Sequence, residues 1–318
     1  MSRSAQEILQ SISQQERSAA RRWQRTKEGG IFAGLAASAT FSVVITATII
    51  IVLFTESARF FDRPEVSFRE FFFTTTWSPL LGETKRFGVW ALISGTMLVT
   101  AVAMSVALPL GLITAIYLSE YSPKKLRAVL KPALEILAGI PTVVYGFFAL
   151  TFITPHLLKP LHEGFNGYNA FSAGMAVGIL CLPIVTSLTE DALQAVPQGL
   201  RDAALGLGGT KFDVSIKVVV PAALSGIISA FLLAIARAVG ETMIVALAAG
   251  SMPQFTMDPR NEIQTMTGFM VQMALGDVSN FGTEYFSMYA VALVLFLITL
   301  TLTIVGQIIR KRYREAYR

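Results

Sequence analysis

Charge is scarce in this chain: Asp, Glu, Lys and Arg together make up 15% of its 318 residues. Soluble domains carry about 25%. The low share excludes an ordinary soluble domain, and also a disordered polyelectrolyte. Cysteine is nearly absent. Cys181 stands alone inside an apolar run, which excludes an internal disulfide and a thiolate metal cluster. The only histidines are His156 and His162, expected together in one outer loop, and two such ligands without others do not build a metal centre. An embedded enzyme needs a nucleophile, a base or metal ligands gathered at one depth. The apolar runs hold one cysteine, no histidine and one notable glutamate, so that class is set aside.

What is present is hydrophobic: 53% of residues. A spanning helix needs about 20 mostly apolar residues. Six segments meet this, near 31–53, 88–117, 130–154, 170–189, 222–250 and 286–309. None alternates in the manner of a membrane β-strand. The predicted fold is an all-α polytopic membrane protein with six transmembrane helices.

The net charge is +5, and its location argues for a membrane surface rather than nucleic acid. With the N-terminus inside, inner segments hold 18 of the 26 basic residues: six in 1–30, four in 118–131, three in 190–221 and five in 310–318. Outer loops hold seven, five of them in 55–87, where five acids offset them. This asymmetry predicts cytoplasmic N- and C-termini facing the lipid headgroups of the inner leaflet. Residues 1–30 have no apolar core or cleavage site, so they are not a signal peptide. They read as a basic cytoplasmic tail, or as a surface helix built on Ile8, Leu9 and Ile12 with Arg21, Arg22 and Trp23.

Residues 31–87 comprise the first span and a long outer segment whose "SFREFFFTTTWSP" suits the headgroup level. A core unit of five further spans follows over 88–309, with a basic C-terminus at 310–318. Pro109 and Gly111 are expected to interrupt the second span, and Gly139, Pro141 and Gly146 the third. Such residues equally permit close helix packing.

The inner segment 191–221, "DALQAVPQGLRDAALGLGGTKFDVSIKVVVP", is too long for a turn. It predicts one short helix from Pro197 to the glycines at 206, 208 and 209, and a second introduced by Thr210, with Asp213 completing a capping box. Its "GLGGTK" fits neither the phosphate loop G-x-x-x-x-G-K-S/T nor G-x-G-x-x-G, so this chain is not expected to bind ATP.

Within that segment Asp202-Ala203-Ala204, then Gly208, then Val218, Val220 and Pro221 keep the spacing of a known signature. That signature is E-A-A, three residues, G, nine residues, I-x-L-P. The chain thus resembles the permease subunits of binding-protein-dependent ABC importers, with Asp in place of Glu and valines in place of the aliphatic pair. "AIYLSEY" (115–121), "LAGIPTVVYGFF" (137–148) and "ARAVGETM" (236–243) resemble phosphate-specific permeases of the PstC type rather than their PstA-type partners. The resemblance implies a type I importer bundle in a bacterial inner membrane, working beside a second, PstA-type permease. It also implies two copies of a cytosolic ATP-binding subunit, which hold the ATP and magnesium, and an external phosphate-binding protein. It places ATPase coupling at Asp202, Ala203, Ala204 and Gly208.

Arg237 and Glu241 are charges within an apolar run, four residues apart and so expected on one helix face. Each lone charge at the bilayer centre costs about 2.5–3.5 kcal/mol, so such residues mark substrate pathways by default. A guanidinium stays charged and its planar fork fits phosphate oxygens. Arg237 and Glu241 are therefore the expected substrate pathway, Glu241 holding the arginine between passages. On physical grounds alone molybdate or sulfate fits as well as phosphate.

Overall fold

A computed structural model describes residues 3–79, 85–276, 279 and 282–314, with side chains from residue 27 to 311 among them. The chain divides into two compact units, Met1–Thr55 and Glu56–Arg318.

The first unit is helical. Helix α1 (Arg3–Phe61) starts in it and runs unbroken past Gly29 and Gly30. Its apolar part, Lys27–Phe61, has 35 residues, about 52 Å of helix against a hydrocarbon core of about 30 Å. The side chains expected to form a surface helix, Ile8 to Trp23, lie outside the described ones, as do residues 315–318.

The second unit takes in the end of α1, then a short helix, α2 (Phe68–Phe73), and a two-stranded hairpin, β1 (Trp77–Ser78) pairing antiparallel with β2 (Arg86–Phe87). Then come α3 (Trp90–Tyr121), α4 (Lys124–Gly139), α5 (Thr142–Leu161) and α6 (Ala170–Gln194). After them follow α7 (Gln198–Gly206), α8 (Lys211–Ala222), α9 (Leu224–Val239), α10 (Met243–Ala248), α11 (Met266–Leu275) and α12 (Thr283–Arg314). Among the described residues α1, α3, α5, α6 and α12 are long and apolar enough to cross a membrane. The pair α8 and α9, bent by 71°, makes a sixth when counted as one span.

Four local expectations change. The third span does not begin at 130. Pro141 forces an extended Ile140 before it (φ −70°, ψ 130°), and the spanning helix starts at Thr142. The preceding α4 buries no side chain and carries Lys124, Lys125, Arg127 and Lys131. Because α5 runs on to Leu161, His156 sits within a helix, stacked on Phe152 at 5.5 Å, rather than in a loop. Pro109 does not interrupt α3, which continues through it. The fifth span is not one helix over 222–250: α9 ends at Val239, and α10 starts after a break at Gly240–Thr242.

Close packing of α3 on α6 builds the centre. A Cβ at Gly178 of α6 would lie 2.9 Å from the Ala103 carbonyl oxygen, and one at Gly111 of α3 would lie 2.5 Å from Val185 Cγ1. The backbones approach because no side chain intervenes there. Gly146 plays the same part for α5 against Leu247. The middle core joins Val99, Tyr145, Val177, Ala234 and Ile244.

An aromatic core of Phe60, Phe71, Trp77, Phe87 and Phe269 closes the end at which α12 begins, with Trp77 and Phe269 edge to face at 4.9 Å. Phe71 and Trp77 of the expected interfacial segment are thus core, whereas Phe68 and Phe73 stay exposed. A third core at the opposite end joins Ala115, Leu193, Val196, Val214 and Ile227.

Candidate functional site

Arg237 occupies the last turn of α9, where a cation faces the unpaired carbonyls of the helix end. The expected single helix face does not exist, because the helix stops two residues later. The pair forms all the same. The Gly240 and Glu241 amides still donate to the Ala236 and Ala238 carbonyls at 3.2 Å each, so the chain completes one more turn. That turn carries Glu241 back under Arg237, whose Nη1 donates to Glu241 Oε2.

The other carboxylate oxygen, Oε1, accepts from the Ile244 amide at 3.3 Å, at the start of α10. One carboxylate thus bridges the end of one helix and the beginning of the next. Its setting is asymmetric: the Glu241 side chain is 2% exposed and the Arg237 side chain 36%. The anion is sealed in, while the cation opens outward.

The break is braced by α11, a helix too short to span, which the hydropathy reading missed. Thr265 caps it by accepting from the Gly268 amide at 3.0 Å. Thr96 of α3 accepts from the Met266 amide at 3.0 Å, and the Thr267 hydroxyl donates to the Glu241 carbonyl at 2.6 Å. The signal was Thr265, a capping residue before the mostly apolar Met266–Leu275.

The cytosol-assigned elbow folds as its residues predict. Pro197 precedes α7, and Gly208 takes φ +86°, a left-handed value that glycine adopts without steric cost. The Thr210–Asp213 capping box opens α8. Of the expected coupling residues, Asp202 and Ala203 are exposed, and Asp202 accepts from Gln198 Nε2 at 3.1 Å. Gly208 is exposed too. Ala204 turns partly inward, onto the core of Leu193, Val196 and Val214. Two large apolar side chains that were not singled out project beside them: Leu207, 91% exposed, and Phe212, 65%.

Two charge clusters at this end also escaped the sequence reading. Glu190 of α6 is fully buried. It accepts from Gln194 at 2.9 Å and pairs with Arg127 and, at 3.2 Å, with Lys131 of α4. The hydrogen bond from Lys131 to Asp191, then that to Glu190, raises its ammonium above the usual lysine value. Arg201 of α7 pairs with Glu120 in the last, wide turn of α3, Nη2 to Oε1 at 3.0 Å. Such partners lie far apart in sequence, and no local pattern announces them.

A helical bundle crossed by a broken, charge-bearing span, with a capped two-helix elbow at one end, defines a multi-pass membrane permease component. The chain belongs to the family of binding-protein-dependent transport system inner membrane components, whose model matches residues 107–315. It is 34% identical to the phosphate transport system permease protein PstC of Mesorhizobium japonicum, covering 72% of this chain and 74% of that one. It is 31% identical to the phosphate transport system permease protein PstA 1 of Mycobacterium tuberculosis, covering 70% of each. In fold it is similar to a chain of a bacterial ABC transporter involved in the import of the acidic polysaccharide alginate. The TM-score is 0.64 at 13% identity, over 92% of this chain and 99% of that one.

Proposed function

We propose that this chain is one of two different permease subunits of an ATP-driven importer that carries inorganic phosphate into the cytoplasm. The observation that carries the proposal is Arg237, a guanidinium left 36% exposed at a break within a membrane-crossing stretch. Hydrocarbon does not accept it, so it faces a water-filled path or a partner chain. A path at the seam with a second, PstA-type permease meets both conditions. Phosphate binds the forked donors while passing, and Glu241 competes for the same donors, so the anion is released as well as admitted. The names of the two relatives support phosphate over molybdate or sulfate, which the guanidinium would also hold.

ATP and magnesium belong to two cytosolic ATPase copies, not to this chain. The elbow seats against them through Asp202, Ala203 and Gly208 with Leu207 and Phe212. An external phosphate-binding protein delivers the cargo, and the basic inner segments hold both termini in the cytoplasm.

The test is uptake of labelled phosphate into vesicles containing the four-subunit complex, with molybdate and sulfate as competitors. Arg237→Gln is expected to abolish uptake while the subunits still co-purify. Wild-type uptake by that variant removes the pathway role, and uptake of molybdate or sulfate in preference to phosphate removes the substrate.

A further inference from the structure

We propose that Arg201 is the positioning residue that fastens the elbow to α3 and α6, so that the elbow and these two spans move as one body. The proposal rests on the permease reading and supplies it with a mechanical route.

Helix α7 buries no residue fully, yet the Arg201 side chain is only 12% exposed. All its acceptors lie off its own helix. Nε and Nη2 reach the two oxygens of Glu120 at 3.3 and 3.0 Å. Nη2 also donates to the Leu193 carbonyl at 2.8 Å, and Nη1 to the Val196 carbonyl. Ser119 steadies Glu120 by donating to Oε1 at 2.8 Å. One flat side chain therefore joins three elements: the elbow, the end of α3 and the end of α6. Leu193 lies in the last turn of α6 and Val196 just past its end, where the helix dipole favours a cation; the Leu193 carbonyl also accepts the Val196 amide at 3.3 Å. A lysine has the charge but not the fork, and would serve the carboxylate or the carbonyls rather than both.

The joint matters because it adds a second route to the covalent one. The elbow continues through α8 into α9, and between them Ala223 leaves helical geometry (φ −87°, ψ 0°) at the 71° bend. That route turns sharply there, whereas a side-chain tie reaches the bundle directly. Through Arg201 motion entering at α7 passes to α3 and α6, locked together at Gly111 and Gly178. From α6 it passes to α9, where a Cβ at Gly226 would lie 2.4 Å from that of Ala192. The far end of α9 carries Arg237.

The test uses the whole complex in vesicles, with spin labels on Gly199→Cys of α7 and Ser105→Cys of α3. A side chain at Gly199 meets nothing within 4 Å, Ser105 is exposed, and the native Cys181 is buried away from the label. With Arg201 in place, the label distance is expected to be the same with and without ATP. In Arg201→Ala the distance should change on ATP addition, and the ATP hydrolysed per phosphate imported should rise about fivefold or more. Arg201→Lys should fall between.

Glu120→Gln keeps the side-chain size and should move both readouts in the same direction, which covers the case that Arg201→Ala does not assemble. An unchanged distance in both nucleotide states for Arg201→Ala, or for Glu120→Gln if only that assembles, overturns the proposal. So does a wild-type distance that shifts with ATP. The distance does not depend on the cargo. A wild-type complex that imports no phosphate therefore removes the substrate reading, while the labels still decide the joint.

Discussion

Arg237 and Glu241 are an ion pair of unequal halves, and the inequality sets what each substitution does. Arg237→Gln strands a carboxylate that is 2% exposed, and an uncompensated buried charge costs about 3–5 kcal/mol. Glu241→Gln strands a guanidinium that already opens outward, so its cost should be smaller, about 1 kcal/mol. The Arg237→Gln, Glu241→Gln double variant should recover most of the thermal stability lost by the first and none of the uptake. Melting of the purified complex, set beside uptake, separates the two roles. A double variant that transports normally would make the pair purely structural. The two charges stood out in the sequence because their neighbours are apolar. Their difference in exposure did not, because it depends on where α9 stops and on α11 arriving from 25 residues away.

At the scale of elements, two glycines make different demands, one of backbone angle and one of space. Gly208→Ala forces a Cβ into a left-handed residue, at about 1–2 kcal/mol, and should impair uptake more than Gly206→Ala in the same turn region. Gly206 has no neighbour within 4 Å and no positive φ. Gly178→Ala drives a methyl against the backbone of Ala103 and should lower stability by about 1–3 kcal/mol. If thermal unfolding of Gly178→Ala matches wild type, the helices are not as close as described.

The loop after α10 offers a pH test. The Arg260 side chain, then its amide, hold the Asp258 carboxyl at about 2. A lowered value stabilises the loop above the ordinary carboxylate range near 4, and the effect is lost as pH falls through about 2. The Asp258 carboxyl carbon signal should therefore stay flat down to about pH 4. A midpoint near 4 would show that the pair does not form. Cap, turn and signature spacing made the elbow legible down to single residues, since each of those signals is local. The start of the third span was misplaced because apolar content outweighed Pro141, which sets the boundary.

For the whole molecule, the exposed guanidinium implies incompleteness. A lone chain in a bilayer bears an uncovered cation worth about 2.5–3.5 kcal/mol, which a second permease or its water-filled seam would relieve. The chain expressed alone should accumulate less than when co-expressed with the second permease proposed for it, as read by immunoblot of membranes. Arg237→Leu combined with Glu241→Gln, which leaves no buried charge behind, should narrow that gap. Equal levels with and without the partner would show that the chain satisfies Arg237 by itself.

Composition and hydropathy alone determined that the chain is a helical membrane protein of about six crossings, because burial in lipid is a requirement each segment must meet by itself. Spacing alone determined the elbow and its cap, since these depend on neighbours along the chain, while the structure picked Gly208 as the left-handed one of its glycines. Only the tertiary structure decided that Glu241 is sealed while Arg237 is open, that Glu190 is buried between two cations of α4, and that Arg201 ties three elements together. Each of these depends on groups brought together from distant positions, and the strength of an electrostatic contact is set by the solvent that folding removes around it.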